Sequence, residues 1–184
     1  SGWINSLIQS FPNIEFILLT IIANRSSRGK FVYELPKNVT QVYEVYLEDC
    51  EWNNGKKRQK NRKHIRLSKK EYAEMLNMVL NRKTDWNILF DLFQRKNLSI
   101  DDLLMGPDFF QIARECYNRK YSGIIFSDFL WTLRSIYLPM FWVLKMNIPK
   151  ADLYHCVATG YAGVLGSMAV HFHDSSLLIS EHGI

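Results

Sequence analysis

Apolar residues along this chain keep two different rhythms. At the start, Trp3, Ile4, Leu7, Ile8 and Phe11 recur at helical spacing, and Pro12-Asn13 ends that run before the β-rich stretch Glu15 to Ala23. The spacing predicts a helix feeding a buried strand. Val39 to Leu47 sets Val39, Gln41, Tyr43, Val45 and Leu47 against Thr40, Val42, Glu44 and Tyr46, the two-residue period of a second strand, after a loop containing Gly29 and Pro36. Gln41 makes that alternation imperfect.

From about Asp49 the rhythm becomes helical. Ser68 suits an N-cap, Glu71 stands at the capping-box position, and Tyr72, Met75, Leu76, Val79 and Leu80 form an apolar stripe. Further helical stretches are predicted at Thr84 to Gln94, Ser99 to Leu104, Pro107 to Tyr117 and Ser127 to Leu144. Residues 49–149 therefore read as a mostly helical insertion between sheet elements. The α/β pattern returns with Ala151 to Ala158 as a strand, Gly160 to Val170 as a helix rich in small residues, and Leu177 to Ser180 as the next strand. Gly160, Ala162, Gly163 and Gly166 are expected to let that helix lie close to the sheet. Strand, helix, strand in this order is a right-handed parallel unit. The predicted fold class is α/β, a Rossmann-like parallel sheet flanked by helices and interrupted by the helical insertion.

A length of 184 residues suits one domain with a real core, and 47% hydrophobic residues agree with a globular chain. The net charge of +5 is local: nine basic residues crowd between Lys56 and Lys70, and without them the rest is slightly acidic. Cys50, Cys116 and Cys156 lie far apart with no C-x-x-C pair, which argues against a disulfide framework and for a reducing compartment. The longest apolar runs, Phe16 to Ala23 and Ile136 to Val143 broken by Pro139, fall short of a bilayer span. The expected location is cytoplasmic, at most peripheral to the inner membrane.

The residues from Ala151 to the end also carry a resemblance. The run Ala151-Asp152-Leu153-Tyr154-His155-Cys156-Val157-Ala158-Thr159-Gly160-Tyr161-Ala162-Gly163-Val164-Leu165-Gly166, followed at a helix's distance by Glu181-His182-Gly183-Ile184, resembles the amino-terminal half of a family 4 retaining glycosyltransferase of GT-B fold. More narrowly, it is similar to the PelF-type enzymes of Pel exopolysaccharide synthesis. Ser1-Gly2-Trp3-Ile4 through Phe11-Pro12, Glu15 to Thr20, Lys30 to Thr40 and Glu44 to Leu47 agree with that family in order and spacing. The resemblance implies an acceptor-side domain forming one wall of a cleft, with UDP-glucose as donor, a glycan as acceptor, and no cofactor or divalent metal. It also implies a second, carboxy-terminal GT-B domain carrying an E-x(7)-E motif, and a membrane-bound polysaccharide synthase complex as a further partner. On this reading residues 1–184 are a domain truncated at both ends.

In open α/β sheets ligands sit in the crevice beyond the carboxyl ends of strands, which is where Glu181-His182-Gly183 falls. His182 is the first candidate. Its imidazole can donate a hydrogen bond to a sugar hydroxyl or a departing phosphate oxygen near neutral pH, and Gly183 permits close backbone approach. The resemblance places such a histidine against the donor sugar, and Ser180 here stands where the family has threonine. The plainer alternative is a satisfied histidine at a strand end. Glu181 is expected to point away from its neighbour His182. Thr159-Gly160-Tyr161 sits where a strand gives way to a helix N-terminus, suited to phosphate or hydroxyl recognition through free backbone N–H groups, or else a plain packing turn. His155 inside the strand reads more readily as a hydrogen-bonded core histidine.

Two other motifs compete. His171-Phe172-His173 would place two imidazoles on one face if it were a strand, but no further ligands follow at metal-site spacing, so no metal is assigned. The run Lys56-Lys57-Arg58-Gln59-Lys60-Asn61-Arg62-Lys63-His64-Ile65-Arg66, with Trp52 nearby, supports a rival reading: a non-catalytic binding module whose basic segment 56–70 contacts anionic lipid or nucleic acid. No nucleic-acid motif accompanies it.

Overall fold

The structure is a computed structural model and describes residues 2–29, 34–50 and 65–181. They fall into two compact units, residues 1–51 and 52–184. The division lies beside Asp49, where the hydrophobic rhythm changes.

The first unit holds α1 (Gly2–Ser10), β1 (Phe16–Ile22) and β2 (Val39–Tyr46), with short 3-10 turns at Arg25–Ser27 and Leu47–Cys50. β1 and β2 pair in parallel, from Ile17 opposite Gln41 to Ile22 opposite Tyr46. Phe16 pairs with Val39, so the register slips by one residue between Phe16 and Ile17. That slip sits beside Gln41 and is the structural counterpart of the imperfect alternation. Asn38 joins helix to strand, its Nδ2 lying 3.0 Å from the Ile8 carbonyl, 3.1 Å from that of Phe11 and 3.2 Å from that of Ile14. Those carbonyls at and beyond the end of α1 would otherwise want for donors.

The second unit begins with the helices α2 (Lys69–Val79), α3 (Trp86–Phe93), α4 (Ile100–Leu104), α5 (Pro107–Cys116) and α6 (Phe126–Leu144). Local chemistry sets most of their starts. Ser68 and Glu71 close the expected capping box: Ser68 Oγ accepts from the Glu71 N–H at 3.3 Å, and a Glu71 carboxylate oxygen accepts from the Ser68 N–H at 2.7 Å. Asp85 caps α3, Ser99 caps α4, and Pro107 opens α5 where its missing N–H costs nothing. Phe93, Phe109 and Phe141 lie at the centre of the packing, all fully buried among Leu89, Leu92, Leu104 and Ile112. Two charged groups share this interior. Glu71 pairs with Arg95, and Arg134 donates through Nε to the Leu104 carbonyl at the end of α4, 2.9 Å away.

The unit closes with β3 (Leu153–Cys156), α7 (Tyr161–His173) and β4 (Ser176–Ile179), the strands parallel with Leu153 opposite Ser176 and Cys156 opposite Ile179. The fold is α/β with parallel strand pairs, as the pattern predicted. The helices read as an insertion form the floor under α7. Phe90 of α3 meets the His171 ring at 5.9 Å, and Gln94 donates to the carbonyls of Leu144 and Met146 at 2.7 and 3.1 Å while reaching Met168 of α7.

Tyr72 ties α2 to α5, donating to Glu115 Oε1 at 2.8 Å. Burial, and then the carboxylate it touches, push its phenol up to about 12. The folded chain thus keeps this proton after the unfolded chain has released its own near ~10. Stability therefore falls as pH rises from ~10 toward 12, and Tyr72 contributes no slope below that window. Urea midpoints followed through this range are expected to drop less steeply in Tyr72→Phe, and an unchanged slope would remove Tyr72 as the cause.

Candidate functional site

Because β3 and β4 run in parallel and in register, the segments after Cys156 and after Ile179 emerge at the same sheet edge. This brings Thr159, Gly160 and Tyr161 to the edge that also carries Ser180 and Glu181. Thr159, Gly160 and Glu181 are exposed, and Tyr161 is half-buried. His182 and Gly183 lie outside the described residues, as do Trp52 and the basic run from Lys56 to His64. Arg66, Lys69 and Lys70 of that segment are described and exposed, Arg66 lying 3.4 Å from Asp108.

Gly160 makes the turn into α7. Its φ of 69° with ψ of −132° is a conformation that side chains disfavour. Nothing lies within 4 Å of the places where a Cβ would stand on Gly160 or Gly163, and no side chain caps this N-terminus. The first turn of α7 therefore presents its backbone N–H groups, with the positive end of the helix dipole, past two residues that add no bulk. Such a turn accepts a phosphate or hydroxyl oxygen.

Gly166 has the packing role the sequence assigned to all three glycines. A Cβ there would stand 2.5 Å from Cys156 Sγ and 2.7 Å from Leu177 Cδ1, so its bare backbone sets how near α7 lies to both strands. Gly160 supplies a backbone angle instead, and Gly163 leaves open space. Cys156 is buried, its Sγ 3.0 Å from the Ala162 carbonyl, and burial pushes its thiol up, away from the reactive thiolate.

Across the edge, His155 Nε2 lies 2.7 Å from Ser180 Oγ. The Ser180 N–H also donates to the Cys156 carbonyl at 2.8 Å, extending the parallel ladder to the residue before Glu181. This tie was not read from the sequence, although it was accessible there. His155 pairs with Leu178, so Ser180 is its diagonal neighbour on the same face, within reach of an imidazole.

The His171-Phe172-His173 motif separates into two unrelated contacts. Both histidines lie on the last turn of α7, where residues two apart point in different directions. His171 Nε2 meets Asp91 at 2.9 Å, and His173 Nε2 meets the Ile148 carbonyl at 3.2 Å. Among the described residues no three His, Cys, Asp or Glu side chains are grouped to hold a metal ion.

The hollows of the molecule lie elsewhere. One of about 330 Å³, lined by Gln94, Met146, Ile148, Met168, Phe172 and His173, sits by the end of α7 and the segment before β3. Its surface is mainly apolar, and its one histidine is engaged with Ile148. Another of about 470 Å³ lies in the first unit against Gln9, Pro12 and residues 34–38. Neither gathers an acid, a base and a nucleophile.

Among the described residues no helix is long and apolar enough to cross a membrane. No curated protein and no solved structure matches the chain. One family matches it throughout, and over residues 1–184 the chain belongs to that family, described as "Domain of unknown function (DUF3492)".

Proposed function

We propose that this chain is the amino-terminal, acceptor-side domain of a retaining glycosyltransferase that transfers a hexose from a nucleotide sugar, UDP-glucose in the PelF-type reading, to a growing exopolysaccharide. The observation that carries this reading is the β3–α7–β4 unit. Its parallel register sets the uncapped start of α7 and the Ser180-Glu181 strand end along one sheet edge. Family membership adds weight, since this family is typically found in glycosyltransferase-like proteins.

The chemistry follows from what each group offers. In transfer with retention, the acceptor hydroxyl attacks the face from which the diphosphate departs, and negative charge grows on the leaving phosphate oxygen. Backbone N–H groups and the positive pole of α7 stabilise such charge without a proton transfer. His182, three residues beyond β4, would donate a hydrogen bond to a sugar hydroxyl or that oxygen. The tie between His155 and Ser180 would hold the strand end from which it projects. The groups gripping the nucleotide belong to the second domain that this reading requires.

Radiolabelled UDP-glucose separates the possibilities. Residues 1–184 alone are expected to give no turnover. In a longer chain in which they precede a nucleotide-sugar-binding domain, His182→Ala is expected to lower transfer by about a hundredfold or more, with an unchanged unfolding midpoint. Turnover by the isolated residues, or full activity in His182→Ala, would sink the proposal.

A further inference from the structure

The connection from α5 to α6 is built unlike an ordinary surface loop. A π turn at Tyr117–Tyr121 extends α5, and Ser122, Gly123, Ile124 and Ile125 then lead into α6. Ile124 is 51% exposed and Ile125 68%, the highest value among the large apolar residues. Tyr121 beside them is 46% exposed. Two adjacent isoleucines so far out of the core would ordinarily fold back onto it.

They are held out by what lies beneath. The Tyr117 ring packs against Phe126 at 5.1 Å and Phe129 at 5.6 Å, Tyr121 stacks on Phe129 at 5.1 Å, and Phe126 meets Phe110 at 5.6 Å. This aromatic base leaves the tip no apolar ground to collapse onto. The backbone of the tip is also satisfied from within. The Tyr121 carbonyl accepts from the Ile124 N–H at 3.2 Å and the Ile125 carbonyl from the Phe129 N–H at 3.1 Å. The Tyr117 hydroxyl reaches the carbonyls of Ile124 at 2.7 Å and Ser122 at 3.4 Å. A loop meant for water has no need of these bonds. A loop meant for an apolar medium does, because an unpaired carbonyl there costs heavily.

The charges around the tip point to the medium. Arg114, Arg119 and Lys120 precede it and are exposed; Glu115 faces Arg119 at 3.4 Å, and Asp128 follows on α6. The excess is basic. Behind the tip, the outer side of α6 carries exposed Trp131 and Ile136 with Asp128, Thr132 and Ser135 between them. That mixture suits the headgroup region of a bilayer, where Trp and Tyr rings settle. A stable protein interface takes roughly 800 Å² from each partner, whereas a tip of two isoleucines with a basic collar is enough to wedge between lipids.

We infer that Tyr121–Ile125 is a membrane-insertion tip, with Ile124 and Ile125 entering the acyl boundary of an anionic bilayer and Arg114, Arg119 and Lys120 at its phosphates. The inference does not rest on the glycosyltransferase reading, and it concerns a site distinct from the basic run at residues 56–70.

The test is co-sedimentation of the 184-residue chain with vesicles of phosphatidylcholine mixed with phosphatidylglycerol, and with phosphatidylcholine alone. The chain is expected to favour the mixed vesicles. Ile124→Ser combined with Ile125→Ser is expected to weaken partitioning by ~10-fold or more, with an unchanged unfolding midpoint because both side chains are exposed. The basic run can also attract anionic vesicles, so the comparison is repeated at ~0.5 M salt, where surface charges are screened. The tip-dependent part should persist there, and in a variant with Lys56 to Lys63 neutralised. Brominated lipid should quench part of the tryptophan emission, and Trp131→Phe should remove that part. Equal binding of the double variant and the parent would mean attraction by charge alone. Absence of vesicle binding would turn the tip into a protein contact. Either result overturns the inference.

Discussion

Phe141→Ala is expected to remove ~3–5 kcal/mol of stability, the largest loss from any single truncation in the second unit. Phe141 is wholly buried, with ring centroids 4.5 Å from Phe93, 5.6 Å from Tyr137 and 6.3 Å from Phe109. It joins α6 to α3 and α5 at one point, and the helices around it cannot close the gap without parting from one another. Urea unfolding should show a lower midpoint at constant slope, the sign of a stability change without a change in exposed surface. Phe141→Leu keeps most of the volume and should cost only ~1–1.5 kcal/mol. A loss below ~1 kcal/mol in the alanine variant would mean that the site collapses freely, contrary to the packing described.

Gly166→Val is expected to do comparable damage by the opposite route. Its new side chain would begin 2.5 Å from Cys156 Sγ and 2.7 Å from Leu177 Cδ1. Leu177 can turn its far end away. Cys156 is short, buried, and engaged with the Ala162 carbonyl, so α7 itself must shift. Overpacking of this kind costs ~1–3 kcal/mol for alanine, and the branched residue should exceed it. Gly163→Ala is the matched control: it meets open space within a helix and should be neutral or gain up to ~1 kcal/mol. Adding Cys156→Ala to Gly166→Ala should recover part of the loss, and failure to do so would mean that the thiol contact is not the obstruction.

What was legible in the sequence follows from how local each signal is. Ser68 with Glu71, Ser99 and Pro107 specify helix starts through atoms within a few residues, and the structure has its helices there. The strand-helix-strand order after Ala151 was equally plain, with strand ends moved by a few residues. Long-range partners were not legible. Nothing near Asn38 reveals that its amide gathers three carbonyls before β1, and nothing near Arg134 reveals that it closes the end of α4. The glycines show the same limit: composition marked Gly160, Gly163 and Gly166 alike, whereas their roles depend on a backbone angle, open space and a sulfur atom. His171-Phe172-His173 was open to misreading because period decides its meaning, and α7 continues three residues beyond the predicted end at Val170. The apolar pair Ile124-Ile125 drew no attention, since two isoleucines before a helix look like core until their surroundings are known.

The π turn at Tyr117–Tyr121 has a consequence for descent with insertions and deletions. Each residue added to or taken from a helix rotates all that follows by about 100° and moves it along the axis by about 1.5 Å. A wider turn absorbs one extra residue locally. Deleting any one position between 117 and 121 would restore the ordinary winding of α5 and swing Ile124 and Ile125 to another compass bearing. The aim of that tip is therefore encoded in chain length rather than in side-chain identity, and homologues lacking the extra residue should have lost the isoleucine pair as well.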